Sequence, residues 1–208
     1  MTYIIHGAPG SGSGIVEAAC AEIGVDYALR DLDARNDEHR GEAYAALNPQ
    51  RKMPTVEVDG EILTESLAIV LTLDERHREA NLLPPPGSAA RAQALRWMVF
   101  MVAELYPLVE IIDYPARFAP TPDAAEATRA RAQAMWHARW RVLEAALAAA
   151  PYSLADGFCA LDLMVTVLGR WIEPVGWRAA NLPKVEAIMA AVRARPALAR
   201  VWARHFPA

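Results

Sequence analysis

The stretch Asn48-Pro-Gln-Arg-Lys-Met-Pro-Thr-Val-Glu-Val-Asp-Gly-Glu-Ile-Leu-Thr-Glu-Ser-Leu-Ala-Ile69 decides how this chain is read. Thr55 to Val58 is a short run rich in β-branched residues. Asp59-Gly60 is the pair a type I′ hairpin turn wants, because both central residues need positive φ. Glu61 to Leu63 reads as the returning strand, and Ser66 opens an apolar helical pattern through Leu67, Val70 and Leu71. Pro54 stands at the mouth of the first strand, where a missing N–H is tolerated and the cis form is accessible. It leaves the backbone of Met53 unpaired at a sheet edge, ready for an extended peptide. Glu65 and Ser66 lie at a helix amino terminus, whose free N–H groups attract a carboxylate, and Lys52 adds a cation. A small extended ligand with carboxylates at both ends suits this layout. An ordinary hairpin with a capped helix would carry the same residues.

Towards the amino end, Tyr3–His6 reads as a strand, Gly7–Gly14 as a turn, and Ile15–Ile23 as a helix closed by Gly24. Tyr27–Leu32 is a second strand, and helical propensity over Glu38–Leu47 stops at Asn48-Pro49. With a helix from Ser66 to about Arg78 the order is β-α-β-α-β-β-α, and the first two strands should be parallel across their helical crossover. Towards the carboxyl end, Leu82–Ser88 is a proline-rich connector and strands vanish. Helices are expected over Arg91–Ile112 with a kink at Pro107, and over Asp123–Ala149 with Thr121 or Asp123 as cap. Further helices are expected over Leu161–Ile172 (buried), Pro183–Arg193 and Pro196–Phe206. The expected organisation is an α/β domain over 1–80, a linker over 81–89 and an all-α domain over 90–208.

Composition narrows the function. The 208 residues suffice for real cores, and a net charge of −4 with mixed signs gives no reason to invoke nucleic acid or an anionic membrane. No apolar run approaches the roughly 20 residues of a membrane span; Trp97–Ala103 is among the longest. The first residues lack a basic n-region, so no signal peptide is expected, and Cys20 and Cys159 form no disulfide framework. A reducing cytoplasm fits. The histidines at 6, 39, 77, 137 and 205 show no metal-ligand spacing, so no metal is expected.

The glycine-rich turn Gly7-Ala-Pro-Gly-Ser-Gly-Ser13 nearly matches a phosphate-binding loop, but Ser13 stands where the lysine belongs and Gly14 where the magnesium-holding hydroxyl belongs. What the turn offers is two hydroxyls, Ser11 and Ser13, at a helix start, where an anion such as a thiolate is stabilised. One serine can cap the helix while the other faces a ligand, and Ser11, farther from the helix, is preferred for the ligand.

Three features recur together: Asn48-Pro-Gln-Arg-Lys-Met-Pro54, Thr64-Glu65-Ser66-Leu-Ala-Ile69, and the strand-turn-helix carrying Ala8-Pro9-Gly10-Ser11. With them, the whole chain resembles a cytosolic glutathione S-transferase of the bacterial, serine-dependent type. The resemblance implies a thioredoxin-like domain followed by a helical one, glutathione as co-substrate, and a cytoplasmic homodimer in detoxification. It implies that Met53, ahead of a cis Pro54, holds the cysteinyl part of glutathione. Glu65 and Ser66 would hold the γ-glutamyl end, and Lys52 would sit near the glycyl carboxylate. Ser11 would face the thiol, with Ser13 as the fallback and Tyr3 as a weaker alternative. Gly12 occupies the place of the cysteine in cysteine-using members, which excludes mixed-disulfide chemistry there. Asp162 is expected to cap a buried helix, with Cys159 replacing the usual hydroxyl. Trp97, Met101, Glu104, Tyr106 and Tyr114 are expected to line a pocket for a small hydrophobic electrophile, although such a stripe also fits core or a subunit interface. Trp136, Trp140, Trp171 and Trp177 are assigned to packing. The expected activity is thiolate attack on that electrophile, the alternatives being a non-catalytic glutathione binder and a glutathione-dependent peroxidase.

Overall fold

The computed structural model describes residues 2–148 and 151–207. Strands β1 (Tyr3–Gly7), β2 (Tyr27–Asp31), β3 (Thr55–Val58) and β4 (Glu61–Thr64) form one sheet in the order β2-β1-β3-β4. β1 and β2 pair in parallel, joined by helix α1 (Ser13–Ile23), which ends at the left-handed Gly24. β3 runs antiparallel to β1 and β4, which makes the sheet mixed. Asp59 and Gly60 take φ of 50° and 81°, the signs a type I′ turn demands. β3 is therefore an inner strand, and Met53 lies off its end rather than along a sheet edge. The Met53–Pro54 bond is cis.

The helix expected over Glu38–Leu47 is broken into a 3₁₀ turn at Glu38–Arg40 and a single turn, α2 (Glu42–Ala45), and another 3₁₀ turn, Ala34–Asn36, precedes it. The cause is local: Asp33 accepts from the N–H groups of Arg35 and Asn36, and Gly41 is extended. Helix α3 (Ser66–Arg76) completes this half and packs with α1 against the sheet.

The rest is helical: α4 (Ala89–Phe100), α5 (Tyr106–Asp113), α6 (Ala125–Ala146), α7 (Ala160–Gly169), α8 (Val175–Asn181), α9 (Pro183–Arg193) and α10 (Ala199–His205). The helix expected over Arg91–Ile112 is interrupted by a π turn at Met101–Leu105, where the Tyr106 N–H reaches back to the Met101 carbonyl. Pro107 has no N–H to continue the α ladder, and the chain absorbs that defect with one wide turn. A 3₁₀ turn, Pro122–Ala124, precedes α6, and neither Thr121 nor Asp123 caps it by a side chain. The expected end of that helix, Ala149, lies outside the described residues. α8 was not foreseen, because its seven residues carry no apolar period.

α7 is buried along its whole length. Asp162 accepts from the N–H of Cys159 at 2.8 Å and of Ser153 at 2.6 Å, and the Cys159 side chain meets the N–H of Asp162 to close a capping box. Burial pushes the Asp162 carboxyl pKa up, against the pull of those two N–H groups. The connector is tied to both halves. The Leu82 carbonyl accepts from the Ala160 N–H at 2.8 Å, and Asp74 accepts from the Leu83 N–H at 3.0 Å and from Arg91 at 2.7 Å. One continuous apolar core runs through both halves. Among the described residues no helix is long and apolar enough to cross a membrane.

Candidate functional site

A cleft of about 970 Å³ lies between the sheet-bearing half and α5. That is at the upper end of the roughly 300–1,000 Å³ typical of small-molecule sites, enough for two molecules side by side. Of the residues singled out from sequence, Ser11, Lys52, Met53, Pro54, Glu65, Ser66, Tyr106 and Tyr114 line it together.

The segment before β3 is set by its own neighbours. The Lys52 carbonyl accepts from the Asn48 amide at 2.7 Å and from the Tyr44 hydroxyl at 2.9 Å. Asn48 also accepts from the Gln50 N–H at 3.0 Å and, through its carbonyl, from the Arg51 N–H at 2.9 Å. With the loop so closed, Met53 projects past the last β1–β3 pair, His6 with Thr55, and its backbone bonds to no other described residue. Across the cleft, Glu65 sits in the left-handed region at φ 65°, a conformation that costs a non-glycine residue about 1–3 kcal/mol. It presents an exposed carboxylate beside the buried Ser66, the first residue of α3. Lys52 is exposed and pairs with Glu110 of α5 at 2.8 Å.

The glycine-rich turn is held from behind. The Ser11 hydroxyl donates to the Ala8 carbonyl at 2.8 Å and accepts from the N–H groups of Ala8 and Ser13, at 3.3 and 3.2 Å. Ser13 Oγ lies 2.8 Å from Ser11 Oγ and 3.2 Å from the Ala8 carbonyl, so both hydroxyl protons have inner partners. Ser13 is buried, and a Cβ on Gly7 would sit 2.3 Å from its side chain. The structure thus brings Ser11 to the cleft wall and places Ser13 behind it. The glycines serve close packing: His205 presses on Gly14, and Tyr106 on Gly12.

Both polar groups of Gly10 are gripped by the helical half. Its N–H donates to His205 Nδ1 at 3.1 Å, and its carbonyl accepts from Trp171 Nε1 at 3.0 Å. His205 Nε2 donates to Glu17 at 2.8 Å, and Arg204 pairs with Glu17 at 3.1 Å and with Asp31. A carboxylate only accepts, so the ring carries its proton on Nε2 and offers Nδ1 to Gly10. Nothing in the sequence near residue 10 signals this tie, because its partners lie more than 160 positions away.

The predicted electrophile pocket is corrected in part. Trp97 and Met101 are buried in the core, with Trp97 edge-on to Phe100, and Glu104 turns outward to Arg139 at 2.6 Å. None of the three lines the cleft, because Tyr106, nine residues after Trp97 and two after Glu104, projects from a different face of the helix. Trp136 and Trp171, assigned to packing, do contribute to the wall. The outer cleft is basic and apolar: Arg40 and Arg117 lie 4.8 and 4.0 Å from the Tyr114 ring centre, with Phe118 beside them. No spacing rule points to Arg40 and Arg117, which meet across two halves of the chain. Tyr3 is buried, its hydroxyl 2.8 Å from His77, and is not part of the cleft. Cys20 and Cys159 are buried, and burial pushes both thiols up to about 12.

Comparison with known proteins agrees with this layout. Residues 13–76 match the family model of the glutathione S-transferase N-terminal domain. An uncharacterised GST-like protein of Escherichia coli, YncG, is 31% identical over 205 residues, 97% of each chain. Maleylacetoacetate isomerase of Pseudomonas aeruginosa is 44% identical over 97 residues, 45% of each chain. A glutathione transferase homologue from Sulfitobacter, solved with bound glutathione, superposes with a TM-score of 0.89 at 24% identity, over 96% of each chain.

Proposed function

Because this chain belongs to the glutathione S-transferase family, we propose that it binds glutathione in the cleft and ionises its thiol for attack on a small hydrophobic electrophile. The observation that carries the reading is the pairing of an unbonded Met53 backbone with Glu65 and Ser66 at the start of α3. An extended tripeptide can bond along Met53 while its γ-glutamyl end meets Ser66, the α3 N–H groups and the Glu65 carboxylate. Its glycyl carboxylate lies towards Lys52, in exchange for Glu110. The sulfur then points at the amino end of α1, with Ser11 at the wall and Ser13 fixing the turn behind it.

The thiol proton leaves to solvent. The thiolate forms the carbon–sulfur bond as the leaving group departs with its electron pair, and the apolar face of Val102, Val109 and Ile112 holds the electrophile. The unpaired thiols of Cys20 and Cys159 fit a cytoplasmic protein. Exposed Ala68 on α3, Val99 on α4 and Ile62 on β4 supply apolar surface for a homodimer, checked by light scattering. A second reading, glutathione-dependent isomerisation of an anionic maleyl substrate, is favoured by the cationic pair around Tyr114 and by the isomerase relative.

Calorimetric titration with glutathione, followed by a panel of aryl halides, hydroperoxides and maleyl acids, tests the reading. Conjugation supports transfer, and isomerisation without conjugation supports the second reading. Turnover of hydroperoxides alone makes the protein a peroxidase, and binding without turnover makes it a carrier.

A further inference from the structure

We propose that the Tyr106 hydroxyl donates the hydrogen bond that holds the glutathione sulfur as a thiolate, in the space a side chain at residue 12 would fill. The proposal rests on the glutathione reading above and assigns its thiol-facing donor to the helical half. A Cβ built on Gly12 lies 3.1 Å from Tyr106 Oη and 3.7 Å from the Met53 carbonyl. The hydroxyl therefore stands where the α1 amino end meets the residue that holds the cysteinyl backbone.

Tyr106 Oη is buried and has no hydrogen-bond partner among the described residues. A buried donor without an acceptor is unfavourable, and such groups gather where a ligand completes them. The Ser66 side chain is near enough to act on it and pulls its pKa down against the larger effect of burial. Binding of the γ-glutamyl carboxylate draws the Ser66 hydroxyl aside and opens Oη towards the sulfur. The ring is held for the task by Trp171, edge-on at 5.9 Å, which is itself anchored on the Gly10 carbonyl.

The competing hydroxyls are engaged. Ser11 and Ser13 share an inner set of bonds with Ala8, and Ser11 would have to break one to serve the sulfur. The Gly12 N–H, which bonds to no described residue, adds a second donor at the helix start. Burial pushes the Tyr106 pKa up to about 12, so the phenol keeps its proton through the physiological range and acts as donor, not base. The thiol proton is released to water.

The test compares wild type, Tyr106→Phe and Ser11→Ala by the ultraviolet absorbance of the thiolate in the glutathione complex as a function of pH. A hydrogen bond to a charged group carries about ten- to a hundredfold, so Tyr106→Phe should raise the bound thiol pKa by about one to two units. It should lower kcat/KM by a similar factor, with glutathione affinity changed by less than about threefold, whereas Ser11→Ala should move the thiol pKa by less than half as much. Gly12→Ala, whose new methyl would crowd the hydroxyl, should reproduce the Tyr106→Phe shift. An unchanged thiol pKa in Tyr106→Phe overturns this proposal and leaves glutathione binding standing. Failure of the wild type to bind glutathione at all overturns both.

Discussion

The cleft wall formed by residues 48–66 takes its shape from neighbours in sequence, whereas the wall formed by α5 takes its shape from distant ones. On the first wall, Asn48 and Tyr44 fix the Lys52 carbonyl from four and eight residues away, and a two-residue turn sets the hairpin. On the second, a π turn sets the rotation of Tyr106, and Trp171, 65 residues later, sets its tilt. The glycine-rich turn belongs to both: its sequence is local, but His205 and Trp171 hold its backbone from the far end of the chain. On the proposed reading, the short local motifs would hold glutathione, while the groups that would tune its thiol and choose the second substrate are assembled by packing.

That comparison can be broken by mutation. The largest effect is expected from the packing side. Asp162→Ala should destabilise the protein by about 3–5 kcal/mol, because two buried N–H groups lose a charged acceptor, and Asp162→Asn should cost clearly less. Thermal unfolding measures this, and activity per folded molecule should be unchanged. The pH sign follows from burial: the raised Asp162 pKa means the folded state takes up its proton first, so this group's contribution to stability is largest at low pH and declines as pH rises through that pKa. Asp162→Asn should flatten that slope, and an unaltered slope would count against the burial.

Next in size, Ser66→Ala should weaken glutathione binding about tenfold or more in calorimetry, since a hydrogen bond to a carboxylate is lost on the locally built wall. His205→Ala should lower kcat several-fold more than it raises the glutathione KM, and His205→Gln, with an acceptor restored, should recover part of the loss. Equal effects on both constants would mean that the grip on Gly10 does not reach the thiol. Lys52→Met should change glutathione affinity by less than about threefold, because an exposed pair is worth about 1 kcal/mol or less. Smallest of all, iodoacetamide at neutral pH should leave Cys20 and Cys159 unmodified in the folded protein, as thiols pushed up to about 12 hold almost no thiolate.

The same division decides what could be read from the residues in order. The hairpin, the parallel crossover and the all-helical second half follow from turn residues, caps and apolar periods within a few positions of one another, whereas the cis Pro54 and the capping Asp162 are what the family resemblance implies. Over Glu38–Leu47 the helical composition hides Gly41 and the Asp33 turn, which act over three residues or fewer and break the helix. Trp97, Met101 and Glu104 stand apart from the cleft for a different reason. Helical spacing does put the three on one stripe, but that stripe runs from the core at Trp97 and Met101 to the Arg139 contact of Glu104, while Tyr106 lies on another face of the helix and reaches the cleft. Arg40, Arg117 and His205 carried no local signal, since each acts only on a partner brought in by the tertiary fold.

The account rests on glutathione lying against Met53 with its sulfur at the amino end of α1. Titrating the thiolate absorbance of glutathione bound to the wild-type protein measures that most directly. A thiol pKa at least about one unit below that of free glutathione is expected, from helix-terminal N–H groups and one hydroxyl around the sulfur. An unchanged pKa in a saturated complex would contradict it.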